Sequence, residues 1–538
     1  MKENGSETSR EGISAFFSGT NTLFFICVAV FIFLQLFILP FTPFYFEGDH
    51  MLPISNAMRL LDGEVMYRDF FHFTPPGTDL YYAAAFYFFG TKIWILNATV
   101  FLLAIAQMLL IFAFSRKLLS GVFVYLPTLL YFLVGFRLYG IDGSNRLFSV
   151  VFVLLAALLV MCGRPTRMLL AAGAFCGLSS FFVQTRGVLG VGAIGLFLLW
   201  VHWRDGFEFR LLIRDWLYAS VGFLVVVAVT QIPAAYWGGF DNYFFANFTF
   251  LKDYYGADTL SNTFAYFSDL PRFESYSENY GAMSGFLRYL RVAGPALFLY
   301  AIVPLTYIVY FIYRRMRQIE TRIDEGLMLL SILGCVLFIG ASAPTAFRLY
   351  HISIPAILLL CWLLSRVLPN KIAVLATGAL GLLLVSYSIQ RQVADRVDVN
   401  FPAGRTAFLS ANVAEKYQWF SGQVNENEAV YEAIHPSYYF PLHLKNPTPF
   451  YLVRDNNYTP DFQVKQLMEA LEKNPPRFII WHGIWSKEAN ERREGDNLAP
   501  LWEFIRKNYE LRKEFRESGE FTTNSERDTE FWEKPIKK

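Results

Sequence analysis

About eleven stretches of this chain are apolar over close to the roughly 17–25 residues that a helix needs to cross a bilayer, and no other feature constrains the fold as strongly. They fall near residues 22–41, 93–114, 121–136, 146–162, 168–184, 187–202, 215–237, 291–313, 325–342, 349–368 and 371–388. Hydrophobic residues make up 54% of the chain and aromatic residues 18%, a share too apolar for an ordinary soluble globule. The expected fold class is a polytopic α-helical membrane protein of about eleven spans, or twelve to thirteen if short segments also cross. The first segment follows a polar N-terminal stretch and has no small-residue cleavage site, which predicts an uncleaved signal anchor.

The placement of basic residues sets the expected orientation. Leu80–Gly90 is short, rich in Tyr and Phe, and follows the breaker Pro75-Pro76-Gly77, so it is expected to lie at the interface rather than to span. With the N-terminus inside, Arg116-Lys117, Arg164 with Arg167, Arg204 with Arg210 and Arg214, Arg314-Arg315 with Arg317 and Arg322, and Arg366 with Lys371 all become cytoplasmic. The outer side then receives the loop 42–91, the long loop 238–290 and everything after about residue 388. Two regions are expected: a membrane domain over 1–388 and a small soluble extracytoplasmic α/β domain over 389–538. In the latter, Ala429–Ile434, Arg477–Trp481 and Glu510–Phe515 read as strands, and Phe462–Lys473 and Leu501–Asn508 as amphipathic helices. This domain carries no phosphate-cradling glycine loop and no metal-ligand spacing, so an accessory role is expected of it.

Net charge is only +2, from 47 basic and 45 acidic side chains, which argues against nucleic-acid binding. The five cysteines all lie in apolar segments, so neither a disulfide framework nor a cysteine zinc site is expected. The middles of the apolar segments lack Asp, Glu, Lys and Arg, which counts against an ion-coupled transporter or proton pump. Ionisable residues gather instead at outer helix ends and in outer loops, a distribution suited to chemistry on a lipid-borne substrate at the membrane surface.

The first outer loop is the richest, with Tyr45-Phe46-Glu47-Gly48-Asp49-His50, an amphipathic stretch Ile54–Leu61, then Tyr67-Arg68-Asp69-Phe70 and His72. Transfer of a group to a hydroxyl or amine needs a base for the acceptor proton, and a carboxylate at a low-dielectric boundary can be tuned for that task. Asp49 is the first candidate and Glu47 the second; both read equally as ordinary loop carboxylates.

The run Glu47-Gly48-Asp49, Leu60-Leu61-Asp62-Gly63, Tyr67-Arg68-Asp69-Phe70, Pro75-Pro76-Gly77 and Phe88-Phe89-Gly90 resembles the first outer loop of the GT-C superfamily of membrane glycosyltransferases. It is most similar to the bacterial branch related to ArnT, RgtA-type transferases and protein O-mannosyltransferases. The resemblance implies an enzyme that takes a sugar from a polyprenyl-phosphate donor of the undecaprenyl-phosphate type, with Asp49 as base. It extends more loosely to about residue 388 and implies an inner-membrane protein of the bacterial cell envelope.

Three further groups fit the same outer pocket. Asp142 with Ser144-Asn145-Arg146 lies at a helix start, Gln184-Thr185-Arg186-Gly187 forms a corner, and Arg348, Tyr350 and His351 precede Pro355. A donor phosphate demands positive charge and several donors, which Arg presents as a planar fork. Arg348 and Arg186, then Arg146, with Tyr350 and His351 beside them, are therefore the candidates for the donor phosphate. Tyr67, Arg68, Asp69 and Gln184 are candidates for other substrate contacts. Each Arg also reads as a snorkelling interface anchor. The aromatic residues of the long outer loop, among them Tyr254, Tyr255, Phe264, Tyr266, Phe267, Tyr276 and Tyr280, read either as an interfacial belt or as a lid over the substrate.

No cofactor and no metal are expected; His50 and His72 with Asp49 are the one weaker candidate for a divalent ion, and their spacing matches no ligand motif. The expected partners are a polyprenyl-phosphate-linked sugar, membrane lipid, and an acceptor whose class (lipid, polysaccharide or protein) the residues leave open. Three other functions compete: a ligase using a diphosphate-linked oligosaccharide donor, a non-enzymatic transporter of lipid-linked sugars, and a membrane scaffold that acts through its C-terminal domain.

Overall fold

The computed structural model describes residue 16 and residues 19–255, 270, 282–341, 344–454, 458–482, 497–516 and 529–535. Each of the apolar segments coincides with a helix or a broken helix. Those long and apolar enough to cross a membrane are α1 (Gly19–Leu36), α4 (Ile93–Leu118), α6 (Asn145–Cys162), α8 (Gln184–Arg204), α9 (Phe209–Gly238), α10 (Met283–Met316) and α14 (Asn370–Val393). A pair bent by 67°, α12 (Ala346–Ile352) and α13 (Ile354–Val367), makes an eighth if counted as one span. Two apolar helices are shorter, α5 (Leu126–Gly140) and α7 (Thr166–Phe182), and α11 (Thr321–Ile339) carries Asp324 and Glu325 in its first turns. The protein is a multi-pass membrane protein.

One departure from the sequence-based expectation has a local cause. The first apolar run extends to residue 41, yet α1 ends at Leu36, because Phe37–Ile38 (β1) and Thr42–Pro43 (β2) form a hairpin around Pro40, which cannot donate within a helix. The loop after it is far from irregular. It holds α2 (Met51–Leu61), whose buried face is Met51, Ile54, Ser55, Asn56, Ala57 and Arg59, and α3 (Gly77–Phe89). At a rise of about 1.5 Å per residue, α3 is about 20 Å long, too short for a core of about 30 Å. It buries Asp79, Tyr82 and Phe86 and leaves Leu80, Tyr87, Phe88 and Phe89 uncovered, as a helix lying at the interface would.

Within the membrane domain, small residues let helix backbones approach closely. A Cβ on Gly173 of α7 would stand 1.9 Å from the carbonyl oxygen of Ala219 on α9, and one on Gly222 of α9 would stand 2.0 Å from that of Leu170. At one end of the bundle the basic clusters meet acidic partners: Arg164 and Arg204 both donate to Glu325 (2.7 and 2.6 Å), and Arg314 grips Asp324 (2.8 Å). Loops well separated in sequence therefore share one face of the bundle.

At the other end sits the C-terminal region. A hairpin of β3 (Val397–Phe401) and β4 (Gly404–Phe408) comes first, then α15 (Ala411–Ser421). A four-stranded sheet follows, ordered β5 (Val430–Glu432), β6 (Phe478–His482), β8 (Thr529–Glu533), β7 (Glu510–Phe515), with β5 and β6 parallel and the other pairs antiparallel. All five residues of β6 are buried, as expected of a central strand covered on both faces. The amphipathic helices α16 (Asp461–Lys473) and α17 (Ala499–Asn508) pack Val464, Leu467, Leu471, Leu501 and Ile505 into one apolar cluster with Ile479 and Trp481 of β6.

This region is knitted to the first outer loop. Tyr45 N–H donates to the Ala407 carbonyl (2.9 Å), Phe71 N–H to Pro449 (2.9 Å), and Arg59 donates to the Thr448 carbonyl (2.8 Å). The domain thus stands on the loop that carries Asp49.

Candidate active site

Where the C-terminal region meets the helix ends lies a cavity of about 450 Å³. Its wall includes Asp49 just before α2, His72 to Pro75 and Thr78 before and in α3, Ser144 to Arg146 at the start of α6, and Val183 to Arg186 at the start of α8. Leu251 and Tyr255 of the long outer loop, Leu337, Gly340 and Ala341 at and just past the end of α11, and Arg348 and Ile352 on α12 add to the membrane side. From the C-terminal region come His435, Pro436, Leu452, Arg454 and Tyr458.

Asp49 reaches this wall through a turn. After β2 the chain bends at Gly48 and turns through Asp49 and His50 into α2. The turn separates the two carboxylates. Asp49 accepts a 2.6 Å bond from Arg146, and 52% of its side chain remains reachable from the cavity although protein surrounds it. Glu47 points the other way, into the contact with the C-terminal region, where it accepts a hydrogen bond from Tyr417. Burial would raise the Asp49 carboxyl, but the adjacent Arg146 charge outweighs this and holds it below the usual carboxylate range. Burial does prevail at Glu47 and pushes it up to about 7.

Asp142, one layer behind, anchors the arrangement. It accepts from the Ser144 N–H (3.0 Å) and hydroxyl (2.5 Å), faces His50 Nδ1 at 3.4 Å, and lies 4.0 Å from Arg146 and 3.9 Å from His351. Burial alone would raise its carboxyl as well; the bond to His50 and the Arg146 charge instead hold it well below the ordinary range. An ionised Asp142 thus fixes the N-terminus of α6, and with it the guanidinium that meets Asp49.

The three candidate arginines all line the cavity. Arg186 donates to the Arg146 carbonyl (2.6 Å) and to Ser149 Oγ (2.9 Å), and Arg348 donates to Tyr255 Oη (3.2 Å). Gln184 lines it as well and donates to Asn247 Oδ1 (2.6 Å), tying α8 to the long outer loop. The other candidates lie elsewhere. Tyr350 follows Arg348 by two residues on a helix, which turns it to the opposite face, and it is buried against Tyr131 with ring centroids 4.5 Å apart. His351 is buried beside Asp142. Tyr67 is buried and donates to the Thr74 carbonyl (2.8 Å), while Arg68 and Asp69 pair with each other at the surface (2.8 Å). All five are outside the cavity wall.

Other residues reach the wall that the sequence did not mark as substrate contacts. His72 is buried, shares a 2.5 Å hydrogen bond with Thr74 and sits 3.5 Å from Asp79, which Asn56 holds at 2.7 Å. His435, Arg454 and Tyr458, from the region expected to be accessory, line the same cavity as Asp49. Burial pushes the His435 imidazole pKa down, against the pull of the nearby Asp49 charge, so it is neutral at pH 7. Among the described residues, no three His, Cys, Asp or Glu side chains gather as metal ligands would, and His50 faces Asp142 rather than the cavity.

Solved structures decide the architecture. ArnT from Cupriavidus metallidurans in the apo state superposes with a TM-score of 0.56 at 14% identity, over 95% of this chain and 98% of that one. The same protein bound to undecaprenyl phosphate gives 0.55 at 13% identity, over 96% and 98%. The chain has the GT-C fold. Neither a family model nor a curated protein sequence matches it, so the likeness is carried by structure alone. Because the GT-C likeness covers nearly all of both chains, it takes in the C-terminal region along with the helices.

Proposed function

We propose that the protein is a glycosyltransferase that moves a sugar from a polyprenyl-phosphate carrier of the undecaprenyl-phosphate type to an acceptor on the outer face of the plasma membrane, inverting the anomeric centre. One observation carries this reading: Asp49 and the arginines 146, 186, 348 and 454 share one cavity at the ends of membrane helices. Supporting the carrier class, undecaprenyl phosphate is bound by ArnT, a protein of the same fold. The orientation, N-terminus inside and C-terminal region outside, rests on the basic clusters gathered at the bundle end opposite the cavity.

The chemistry needs one base and a home for growing negative charge. A lone pair of the acceptor's hydroxyl or amine forms the bond to the anomeric carbon. The bond from that carbon to the phosphate oxygen breaks, and its electron pair stays on the phosphate. The carrier phosphate thereby passes from about one negative charge to about two, which Arg186 and Arg348 are placed to stabilise. The acceptor proton passes to Asp49. Held ionised by Arg146, that carboxylate is open to accept the acceptor's hydrogen bond, and it takes the proton late, as the forming bond makes the acceptor acidic.

Four arginines against one carboxylate on the wall also suit a diphosphate-linked donor, and this excess favours that as the second reading. Purified protein in detergent given radiolabelled undecaprenyl-phosphate sugars and, separately, an undecaprenyl-diphosphate-linked oligosaccharide separates the two. Consumption of a monophosphate-linked sugar is expected. Consumption of the diphosphate-linked donor alone, or of neither, contradicts the proposal.

A further inference from the structure

We infer that Phe73 and Tyr255 form an aromatic platform on the cavity wall that stacks the ring of a glycosyl group, beside the cation Arg348. The two rings come from different segments, the first outer loop and the long outer loop, and lie 5.5 Å apart with their planes only 33° from parallel. Both are half-buried and both line the cavity. Packed against them are two rings with almost no exposure, Phe250 (1%) and Tyr458 (2%), the latter also on the cavity wall. Phe250 meets Phe73 at 5.4 Å and Tyr458 at 5.4 Å, and Tyr458 meets Tyr255 at 5.8 Å and Phe73 at 6.3 Å, mostly edge to face. Such a backing fixes the orientation of the front pair without covering it, so its cavity face is organised before any ligand arrives.

A fixed aromatic face inside a cavity lined by arginines is an uncommon surface to leave open to water. A sugar ring fits it: one face presents C–H groups that pack on an aromatic plane, while the hydroxyl edge needs polar partners. Arg348 donates to Tyr255 Oη at 3.2 Å, which places a cation at the platform's edge, where a glycosyl phosphate carries its charge. A phosphate at Arg348 would therefore set its attached ring on Phe73 and Tyr255, with Asp49 lining the same cavity. The inference rests on the glycosyl-transfer reading and gives the ring its place. The ring belongs to the donor or to a glycosidic acceptor, and the two are separable.

Saturation-transfer NMR on the full chain in deuterated detergent tests it, with methyl glucoside, mannoside, galactoside and arabinoside as probes and undecaprenyl phosphate binding measured alongside. Wild type is expected to transfer saturation to the ring C–H protons of at least one glycoside. Phe73→Leu, which keeps apolar volume without the aromatic face, is expected to weaken that glycoside about tenfold. Phe73→Tyr and Tyr255→Phe, which keep both rings, should retain it, and the bare carrier should bind Phe73→Leu within about twofold of wild type. Displacement of the glycoside by the matching undecaprenyl-phosphate glycoside, but not by undecaprenyl phosphate, assigns the ring to the donor; no displacement assigns it to the acceptor. The inference is overturned if no glycoside responds in wild type, if Phe73→Leu binds glycosides as wild type does, or if it loses carrier and glycoside equally. A wild type that responds to glycosides yet binds no undecaprenyl phosphate sinks the carrier assignment and leaves the platform standing.

Discussion

Asp49 and Arg146, 97 positions apart in the chain, meet at 2.6 Å on the cavity wall, and their pairing decides which protonation state the candidate base presents. Without Arg146, burial would prevail and the Asp49 carboxyl would rise. Arg146→Gln should therefore move the acid limb of the pH–rate profile for transfer to higher pH. At a pH between the old and new limbs the variant loses activity that alkali restores. An acid limb that stays in place under this substitution would remove Asp49 from the role of base.

Glu47 makes a different prediction, concerning stability. Its carboxyl, raised to about 7, faces Tyr417, Glu432, Lys416 and His50 at the contact with the C-terminal region. A carboxyl raised on folding binds its proton more tightly in the folded state, so its contribution is fully present below the unfolded value of about 4.5 and is lost as pH rises toward 7. Relative to Glu47→Gln, which does not titrate, wild type should lose thermal stability between about pH 5 and pH 7, and the two should run parallel above that. Unfolding midpoints across this range check it; a difference that does not vary with pH would show that Glu47 titrates normally.

The helical segments were legible in the sequence because hydropathy alone dictates them. Asp49, Arg146, Gln184, Arg186 and Arg348 were legible too, because each stands at a helix end that the basic clusters place on the same side. Tyr350 and His351 read as neighbours of Arg348 in the chain, but helical rotation turns Tyr350 toward Tyr131, while His351 is buried against Asp142, and only the tertiary packing reveals that. Glu47 and Asp49 look equivalent until the turn at Gly48 to His50 sends them to opposite sides. His435, Arg454 and Tyr458 carry no motif and reach the cavity only because the C-terminal region is hydrogen-bonded to the first outer loop at Tyr45, Arg59 and Phe71. Of the outer-loop aromatic residues read as an interfacial belt or a lid, Phe264, Tyr266, Phe267, Tyr276 and Tyr280 lie outside the described residues.

Close helix packing places Arg186. A Cβ on the next residue, Gly187, would stand 2.1 Å from Ser180 Oγ and 2.2 Å from the Cys176 carbonyl oxygen on α7. Gly187→Ala should push α8 off α7, cost about 1–3 kcal/mol of stability and lower transfer by displacing Arg186. Wild-type stability and activity together in this variant would mean that the two helices do not touch there.

Orientation is testable with single cysteines in a variant lacking the native five. Arg405→Cys on β4 should react with an impermeant maleimide added to right-side-out vesicles, and Lys117→Cys at the end of α4 only after permeabilisation. The reverse pattern would put the cavity on the cytoplasmic side.

The central claim is that Asp49 takes the acceptor proton during transfer from a polyprenyl-phosphate sugar. Purified wild type, Asp49→Asn and Glu47→Gln should be compared for single-turnover transfer or hydrolysis of radiolabelled undecaprenyl-phosphate sugars, with folding checked by thermal unfolding. Loss of a general base typically costs about a hundredfold or more, so folded Asp49→Asn should be at least that much slower while Glu47→Gln remains within about tenfold of wild type. Transfer by Asp49→Asn at close to the wild-type rate would contradict the account directly.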